Sequence, residues 1–529
     1  MFVRVKGTGK YRYLQIVENH RDGRRVVQQV ICTLGRLDSL MADGTTDALV
    51  RSLSRFSRQV RLVESYRRGD LEVGAIRQIG PDLVFGRLWQ KMGLGEVIQG
   101  LLGERRFEFA VERAVYHAVL HRLFESGSDR ASQSWRRDIR IPGTEGLELH
   151  HLYRAMRWLG ETKDRMEEDL FHRQQDIFTE LSLAFFDTTS LYFEGHGGES
   201  LGQYGHSKDH RPDLKQMMVG AVLTGEGRPV CCELWPGDYT DARALLPVVD
   251  RLKDRFGIKR VCWVADRGMI HQKAIEALEE RRLEYILGAR MRRQTEVREV
   301  VLRDGGPYEK VAENLQVKEV WVEGRRYVVC LNPQETLKDE ADRKAIVEAL
   351  EDKLREGVKQ LVGNRGYRRF LRVEKEAVTV DQEKVEAEAP YDGKFVLRTN
   401  TKLSAAEVAL QYKRLQVVEQ LFRAAKSVLE SRPIYHQWDA TIKGHVFCSF
   451  LALVLMHELK RRMALRGYHE EWDVVRRDLE SLCEVEIKDG QERYLLRTAL
   501  QGVTGKVLQA VGVAAPPMAR PIVNVVPRL

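Results

Sequence analysis

Short apolar segments that alternate with helical patterns constrain the fold of the middle of this chain. Four of these segments have the length and composition of buried strands, at 183–186, 217–223, 229–234 and 260–265. Helical patterns at 241–256 and 270–281 lie between or after them. A meander of strands followed by alternating strands and helices predicts a mixed α/β sheet.

The regions on either side of this segment have different patterns. Residues 1–35 alternate in polarity around turn sequences at Gly7-Thr8-Gly9 and Asp22-Gly23, which predicts a small antiparallel sheet. From about 36 to 175 the apolar residues follow a helical period. We therefore expect an N-terminal sheet followed by a helical region.

The strand–helix rhythm is interrupted at about 291–390. Segments 318–322 and 326–330 flank Glu323-Gly324-Arg325 and predict a hairpin, which a charged helix at 340–361 follows. The α/β pattern resumes at 394–398, and a long helix is predicted over 404–429, with Ser404 as N-cap and Glu407 completing a capping box. The predicted domains are 1–75 (sheet and helix), 76–175 (helical), 176–290 (first part of the core), 291–390 (insertion), 391–475 (second part of the core) and 476–529 (C-terminal region).

Composition narrows the class of protein only slightly. Lys and Arg number 86 against 77 Asp and Glu, giving a net charge of +9, and this modest excess suits a partner with many phosphates. Seven cysteines without a CxxC pair argue against a disulfide framework or zinc ribbon and favour a reducing cytoplasm. The first residues lack a signal-like apolar region, and the longest apolar run, 446–456, is shorter than the roughly 20 residues of a membrane span. We expect a cytoplasmic protein without a membrane partner.

Three carboxylates stand out by their positions. Asp187 follows the apolar segment 183–186, Asp266 ends the segment 260–265, and Glu419 lies within the predicted late helix. Carboxylates at strand ends of an open α/β sheet suit an active site, and hard divalent cations prefer carboxylate oxygens. Each one alone has an ordinary interpretation, as a turn, a helix cap or a solvated surface group.

The late helix adds weight to this set. At about 100° per residue, Tyr412, Leu415, Glu419 and Lys426 fall within an arc of roughly 60° on a continuous helix. A stripe of acidic, basic and aromatic groups predicts that Glu419 binds metal while Tyr412 and Lys426 reach phosphates. A salt-bridged surface helix would also show mixed charges, but it has less reason to include the apolar Leu415.

These residues resemble a known family. The segment 412–426, YKRLQVVEQLFRAAK, is similar to the tyrosine–arginine–glutamate–lysine signature of DDE transposases from bacterial insertion sequences. Segments 186–190 and 264–269 resemble the two aspartate regions of the family, and 205–213 and 236–238 resemble the segments between them.

The resemblance implies an RNase H-like catalytic core interrupted by a β-rich insertion. It assigns Asp187, Asp266 and Glu419 as catalytic ligands of two Mg²⁺ ions, or Mn²⁺, and it places Tyr412 and Lys426 on DNA. It also implies a transposase that binds the double-stranded ends of its element, nicks them and joins the 3′-hydroxyl ends to target DNA. The implied assembly is a homodimer or larger on DNA, associated with the nucleoid.

This sequence departs from the family signature at one position. The roles of two other candidate DNA-binding residues stay open. The signature arginine falls on Leu415, so Arg414 or Arg423 is the expected substitute. Lys208 either touches DNA or is a solvated loop tip, with equal support. Trp321 either stacks on an unpaired base or packs within its hairpin, and packing is favoured.

Two functions of other classes are also compatible with the sequence. A catalytically silent DNA-binding regulator derived from a transposase would keep the fold, and a glycosidase using two carboxylates would work without metal. His117 and His121 have a zinc-compatible spacing but no third ligand in the sequence, so a structural role is expected for both.

Overall fold

The computed structural model describes residues 1–22, 25–54, 71–174, 183–256, 261–266, 272–356, 369–373, 378–427, 429, 431–489 and 492–522. The chain forms two compact units. The terminal unit comprises Met1–Gly80, Arg477–Gly505 and Ala514–Leu529, and the central unit comprises Pro81–Arg476 and Lys506–Val513.

The terminal unit begins with the predicted antiparallel sheet. Its elements are β1 (Phe2–Thr8), β2 (Tyr11–Asp22), β3 (Arg25–Arg36), α1 (Leu37–Ala42), α2 (Thr45–Ser54) and β4 (Leu71–Gln78). Strands β1, β2 and β3 form a three-stranded sheet in which β2 is central. Gly9, in the first predicted turn, has a φ of +60°, a conformation that glycine adopts without strain. Gly23, in the second turn, lies outside the described residues.

Helices open the central unit, as the sequence predicts. They are α3 (Gly80–Lys91), α4 (Leu94–Leu102), α5 (Val111–Phe124), α6 (Asp129–Trp135) and α7 (Leu149–Gln174). Helix α5 is buried along nearly its whole length and carries His117 and His121. His117 Nε2 lies 3.0 Å from the Ser132 carbonyl oxygen, a contact that suits the structural role expected of a buried histidine.

The predicted mixed sheet forms the centre of this unit. Its elements are β5 (Leu183–Tyr192), β6 (Gln216–Thr224), β7 (Pro229–Pro236), α8 (Asp241–Phe256), β8 (Cys262–Ala265), α9 (Gln272–Glu280) and β9 (Glu284–Gly288). The strand order is β7-β6-β5-β8-β9: the first three are an antiparallel meander, β8 is parallel to β5, and β9 is parallel to β8. Helices α8 and α9 cover one face of this sheet.

The segment predicted as a β-rich insertion continues this same sheet. It contains a π-helix (Val297–Val301), β10 (Glu309–Ala312), β11 (Leu315–Val322), β12 (Arg325–Leu331), α10 (Pro333–Glu356), β13 (Leu371–Val373), β14 (Val378–Val380), α11 (Gln382–Glu388), a 3₁₀ turn (Ala389–Tyr391) and β15 (Lys394–Thr399). The predicted hairpin is confirmed as β11 and β12. Because Leu397 of β15 pairs with both Val328 and Gly288, β15 joins the hairpin to β9 and the sheet reaches nine strands.

The prediction of a single long helix over 404–429 is wrong, because the helix is interrupted. The structure has two helices, α12 (Ala405–Lys413) and α13 (Gln416–Ser427), and the capping box of Ser404 and Glu407 is confirmed at the start of α12. Between them, backbone hydrogen bonds three residues apart, such as Leu415 N–H to the Tyr412 carbonyl, tighten the turn. The tighter turn shifts the helical phase, so the continuous stripe inferred from 100° per residue does not exist.

Further helices complete the central unit, and a second sheet completes the terminal unit. The elements are α14 (Asp439–Ala464), α15 (Trp472–Glu480), β16 (Cys483–Asp489), β17 (Glu492–Arg497), α16 (Thr504–Val511) and β18 (Ala519–Pro521). Strands β18, β17, β16 and β4 form a four-stranded sheet. Among the described residues α14 alone has the length and apolar composition of a membrane span, but most of that stretch is buried against the protein, as in a core helix.

Candidate active site

The two aspartates singled out in the sequence lie side by side. Strands β5 and β8 run parallel, and their register pairs Phe186 with Ala265. Asp187 follows Phe186 within β5, and Asp266 directly follows Ala265, the last residue of β8. The two carboxylates therefore start from neighbouring backbone positions about 4.8 Å apart, the spacing of paired strands.

Both aspartates point to the same face of the sheet. Phe185 of β5 and Val264 of β8 belong to the apolar cluster that packs under α12 and α13. Because side chains alternate along a strand, Asp187, two residues after Phe185, shares that face. Asp266, just after β8, is on the same side, because its carboxylate accepts a hydrogen bond from Tyr412 of α12. The carboxylates thus project toward the two late helices and away from α8.

Asp187 occupies an opening in an otherwise buried strand. Within β5 the residues from Ala184 to Leu191 are buried except Asp187, which is half-buried. The backbone N–H of Thr188 donates to Asp187 Oδ1 at 2.7 Å. A carboxylate held at its base yet reachable from solvent is suited to binding a cation.

Tyr412 contacts the second aspartate directly. Its hydroxyl donates a 2.9 Å hydrogen bond to Asp266 Oδ1, and its ring stacks on Phe395 with centroids 5.7 Å apart. The sequence had placed Tyr412 on a DNA phosphate. The structure gives this hydroxyl a protein partner, because α12 packs against β8, and contact of Tyr412 with DNA stays a prediction.

Glu419 lies on the helix that covers Asp187. It is exposed in the first turn of α13, and that helix packs against β5 and β6 through the buried side chains of Val418 and Phe422. In the described part of the chain, one group of three metal-ligating side chains has every ligand atom within 4.8 Å of the others, and it is not this triad. The carboxylates of Asp187, Asp266 and Glu419 therefore do not meet at single-ion distances.

Lys426 is engaged by a residue that the sequence reasoning missed. Its ammonium lies 2.6 Å from Asp209 Oδ1, and Arg432 pairs with the same carboxylate. Burial lowers the pKa of Lys426, and the hydrogen bond to Asp209 opposes that shift. Lys426 is thus paired within the protein, and its contact with phosphates stays a prediction. Asp209 lies within the segment 205–213 that resembles the family, which was the available signal.

Lys208 is anchored to the strand that carries Asp187. Its ammonium donates to the Thr188 carbonyl and to Thr188 Oγ1 at 2.9 and 2.8 Å, and its backbone N–H donates to Ser190 Oγ at 2.9 Å. The interpretation of Lys208 as a solvated loop tip is therefore wrong. Contact with DNA is untested.

The remaining predicted DNA contacts differ in exposure. Leu415, at the signature arginine position, is only 5% exposed and packs in the core. Arg414 and Arg423 are exposed. Trp321 is 60% exposed, and its Nε1–H donates to Glu319 Oε1, so the favoured interpretation of buried hairpin packing is wrong.

The group that does meet at short distance is Glu108, His150 and His151, and its chemistry does not suit a metal. His151 Nδ1 accepts the Glu148 N–H, so the neutral ring carries its proton on Nε2, which faces Glu108. Glu108 also pairs with Arg154, which supplies the positive charge that a cation would bring.

The family model described as the transposase DDE domain matches residues 179–455, just over half of the chain, so the chain belongs to the DDE transposases. A second model, described as the N-terminal domain of IS1634 family transposases, matches residues 3–60 and assigns the chain to the insertion-sequence members of that class.

A solved structure of a piggyBac transposase synaptic complex with hairpin DNA is 10% identical, with a TM-score of 0.36 over 76% of this chain and 78% of that one. A search of curated proteins found no match.

Proposed function

We propose that the protein is an insertion-sequence transposase that nicks the ends of its element and joins them to target DNA, with Asp187, Asp266 and Glu419 as the catalytic carboxylates. The observation that carries the proposal is the matched register of β5 and β8, which presents Asp187 and Asp266 on the face covered by the helix of Glu419. We take the meander β5–β7 with parallel β8 and β9 as the RNase H-like core, and 291–390 as its insertion.

The donor set fits divalent cations. Three carboxylates on one face are the hard oxygen ligands that Mg²⁺ or Mn²⁺ prefers, whereas the neighbouring described strands bury their cysteines. Two ions about 4 Å apart do not require all three carboxylates to reach one ion, so the wider spacing of this triad is compatible with a two-ion site. When bound, such ions supply activation of the attacking oxygen and charge stabilisation of the leaving oxygen.

The chain's own groups position these ligands. The Tyr412 hydroxyl donates to one oxygen of Asp266, and the Thr188 N–H donates to one oxygen of Asp187. Partners of this kind orient ligating carboxylates, and their loss typically costs about 10–100-fold in metal affinity or activity.

The N-terminal sheet is the proposed site that binds the element ends. Residues 1–36 contain eight Lys and Arg against two Asp and Glu. On one face, Arg4 donates to Gln15 and to Gln28, and Gln15 donates to Thr33, so a row of polar side chains crosses all three strands. Arginine and glutamine read guanine and adenine in the major groove, which also accommodates β-strands.

The other proposed contacts are with the cleaved DNA and between copies of the chain. Arg414, Arg423 and Trp321 are exposed, and we assign them to DNA together with the cations Lys208 and Lys426 near the carboxylates. Joining two ends requires at least a dimer on DNA. The expected location is the cytoplasm, on the nucleoid.

The decisive experiment replaces Asp187 with asparagine. The change keeps the side-chain volume but removes the charge, so we expect binding to element-end DNA within twofold of wild type and loss of Mg²⁺-dependent nicking of a labelled duplex. Glu351→Gln, an exposed glutamate on α10, is the matched control and should nick normally.

The outcomes separate the candidate functions. Nicking by Asp187→Asn at the wild-type rate would refute the assignment of the site. A wild-type protein that binds the ends but never nicks in Mg²⁺ or Mn²⁺ would instead be a silent regulator. Nicking that persists in a metal chelator would exclude the proposed chemistry.

A further inference from the structure

Asp209 belongs to a loop that is docked onto the strand of the first catalytic aspartate. The Ser207 hydroxyl accepts the backbone N–H groups of Asp209 and Arg211, at 3.3 and 3.1 Å. Lys208 lies between Ser207 and Asp209. Its backbone N–H donates to Ser190, and its ammonium donates to Thr188. The backbone of Asp209 is thereby fixed relative to β5.

The side chain of Asp209 reaches in the opposite direction, to the helix of the catalytic glutamate. Its carboxylate is 4% exposed and pairs with Lys426, in the last turn of α13, and with Arg432, which follows that helix. A carboxylate this buried is stable only when paired, so the contact constrains both sides.

Helical geometry links this contact to Glu419. Lys426 is seven residues after Glu419 on α13, and seven residues return to within about 20° of the same direction. The two side chains therefore share one face of the helix, and a tie at Lys426 fixes the rotation that aims Glu419. Lys208 makes its contact at Thr188, the residue adjacent to Asp187.

We propose that Asp209 is a positioning residue that sets the separation between the carboxylates of Asp187 and Glu419. Two consecutive residues form the brace: Lys208 holds the strand beside one ligand, and Asp209 holds the helix of the other. The inference rests on the proposed function, because the separation matters only if both carboxylates bind cations.

The test is Asp209→Asn in the full chain, with Asp213→Asn as matched control. Asp213 lies in the same loop and pairs with Arg211 at 2.9 Å, but it is exposed and contacts neither β5 nor α13 in the described contacts. We expect Asp209→Asn to weaken Mn²⁺ binding about tenfold by electron paramagnetic resonance titration. The Mg²⁺ concentration for half-maximal nicking should rise by about the same factor, with Asp213→Asn unchanged.

A second variant, Lys426→Gln, approaches the brace from its other end. It keeps the pair between Arg432 and Asp209 and should also weaken Mn²⁺ binding. The variant that carries both Asp209→Asn and Lys426→Gln should bind Mn²⁺ no more weakly than the weaker-binding single variant. Tighter Mn²⁺ binding by Lys426→Gln would make Asp209 a direct ligand and overturn the proposal. Wild-type Mn²⁺ binding by folded Asp209→Asn would also overturn it.

Two further outcomes are separable from these. Tighter DNA binding by Asp209→Asn, with Mn²⁺ binding unchanged, would identify Asp209 as an internal competitor of phosphate and refute a positioning role. If Asp187→Asn itself binds Mn²⁺ and nicks like wild type, the proposed function fails. If Asp187→Asn is inactive while Asp209→Asn matches wild type, only the brace fails.

Discussion

Leu415 occupies the position of the signature arginine, and restoring that arginine is expected to damage the protein. The side chain of Leu415 is 5% exposed and packs with Val418 and Phe422 in the cluster beneath the sheet. Truncating a leucine in such a place typically costs about 2–5 kcal/mol of unfolding free energy.

An arginine adds a second cost. It places a charge without a partner among apolar side chains, and an unpaired buried charge costs several kcal/mol even after the protein relaxes. We therefore expect Leu415→Arg to destabilise the protein by about 5 kcal/mol or more, which is comparable with the roughly 5–15 kcal/mol that holds a whole domain folded.

The assay is thermal unfolding of the purified variant, together with its soluble yield and nicking rate. Gln416→Arg is the matched control, because it adds the same charge at the next residue, which is exposed. We expect the control to melt like wild type and Leu415→Arg to melt many degrees lower or to be insoluble. A Leu415→Arg protein that melts within about 2 °C of wild type would refute the argument, since 1 kcal/mol shifts melting by roughly 2–4 °C in domains of 150–250 residues.

Two further predictions concern the hydroxyl of Tyr412 and the buried side chain of His117. Tyr412→Phe removes the hydroxyl that donates to Asp266, a hydrogen bond to a charged acceptor worth about 1.5–3 kcal/mol, so nicking at saturating DNA should fall about tenfold or more. Tyr204→Phe, at an exposed tyrosine, is its control, and equal rates for the two variants would contradict the role of Tyr412. Burial lowers the pKa of His117 to about 4, so its contribution to stability is complete above the unfolded pKa of about 6.5 and is lost as the pH falls toward 4. The unfolding free energy of wild type should therefore drop between about pH 6.5 and pH 4 by up to about 1.4 kcal/mol per pH unit from this group, and His117→Gln should show a shallower slope than the exposed control His20→Gln.

The sequence predicted the elements whose pattern is local. Alternating polarity marked β2 and β3, compact apolar runs marked β5 to β8, and the capping box marked the start of α12. Each of these signals depends on residues within one strand or one helical turn, so no distant contact was needed to interpret it. The position of each aspartate after its own buried strand also followed from the sequence, whereas the matched register of the two strands did not.

Pairings between distant segments required the tertiary structure. Nothing local in β15 shows that it joins the hairpin β11–β12 to β9. The sequence predicted a core and a separate insertion, whereas the structure has one sheet of nine strands. The break between α12 and α13 falls at Leu415, which is buried in the core, and the helical preference of the surrounding residues does not show it.

What the sequence alone determined is the kind of chemistry: carboxylates after buried strands, a glutamate on a late helix, and a family signature around it. What only the tertiary structure decided is the partner of each side chain. Tyr412 meets Asp266 and Lys426 meets Asp209 because helices α12 and α13 lie across a sheet whose strands come from far along the chain. Charge and residue type belong to the sequence, but the counter-ion that a buried lysine selects depends on which group the fold places within hydrogen-bonding distance.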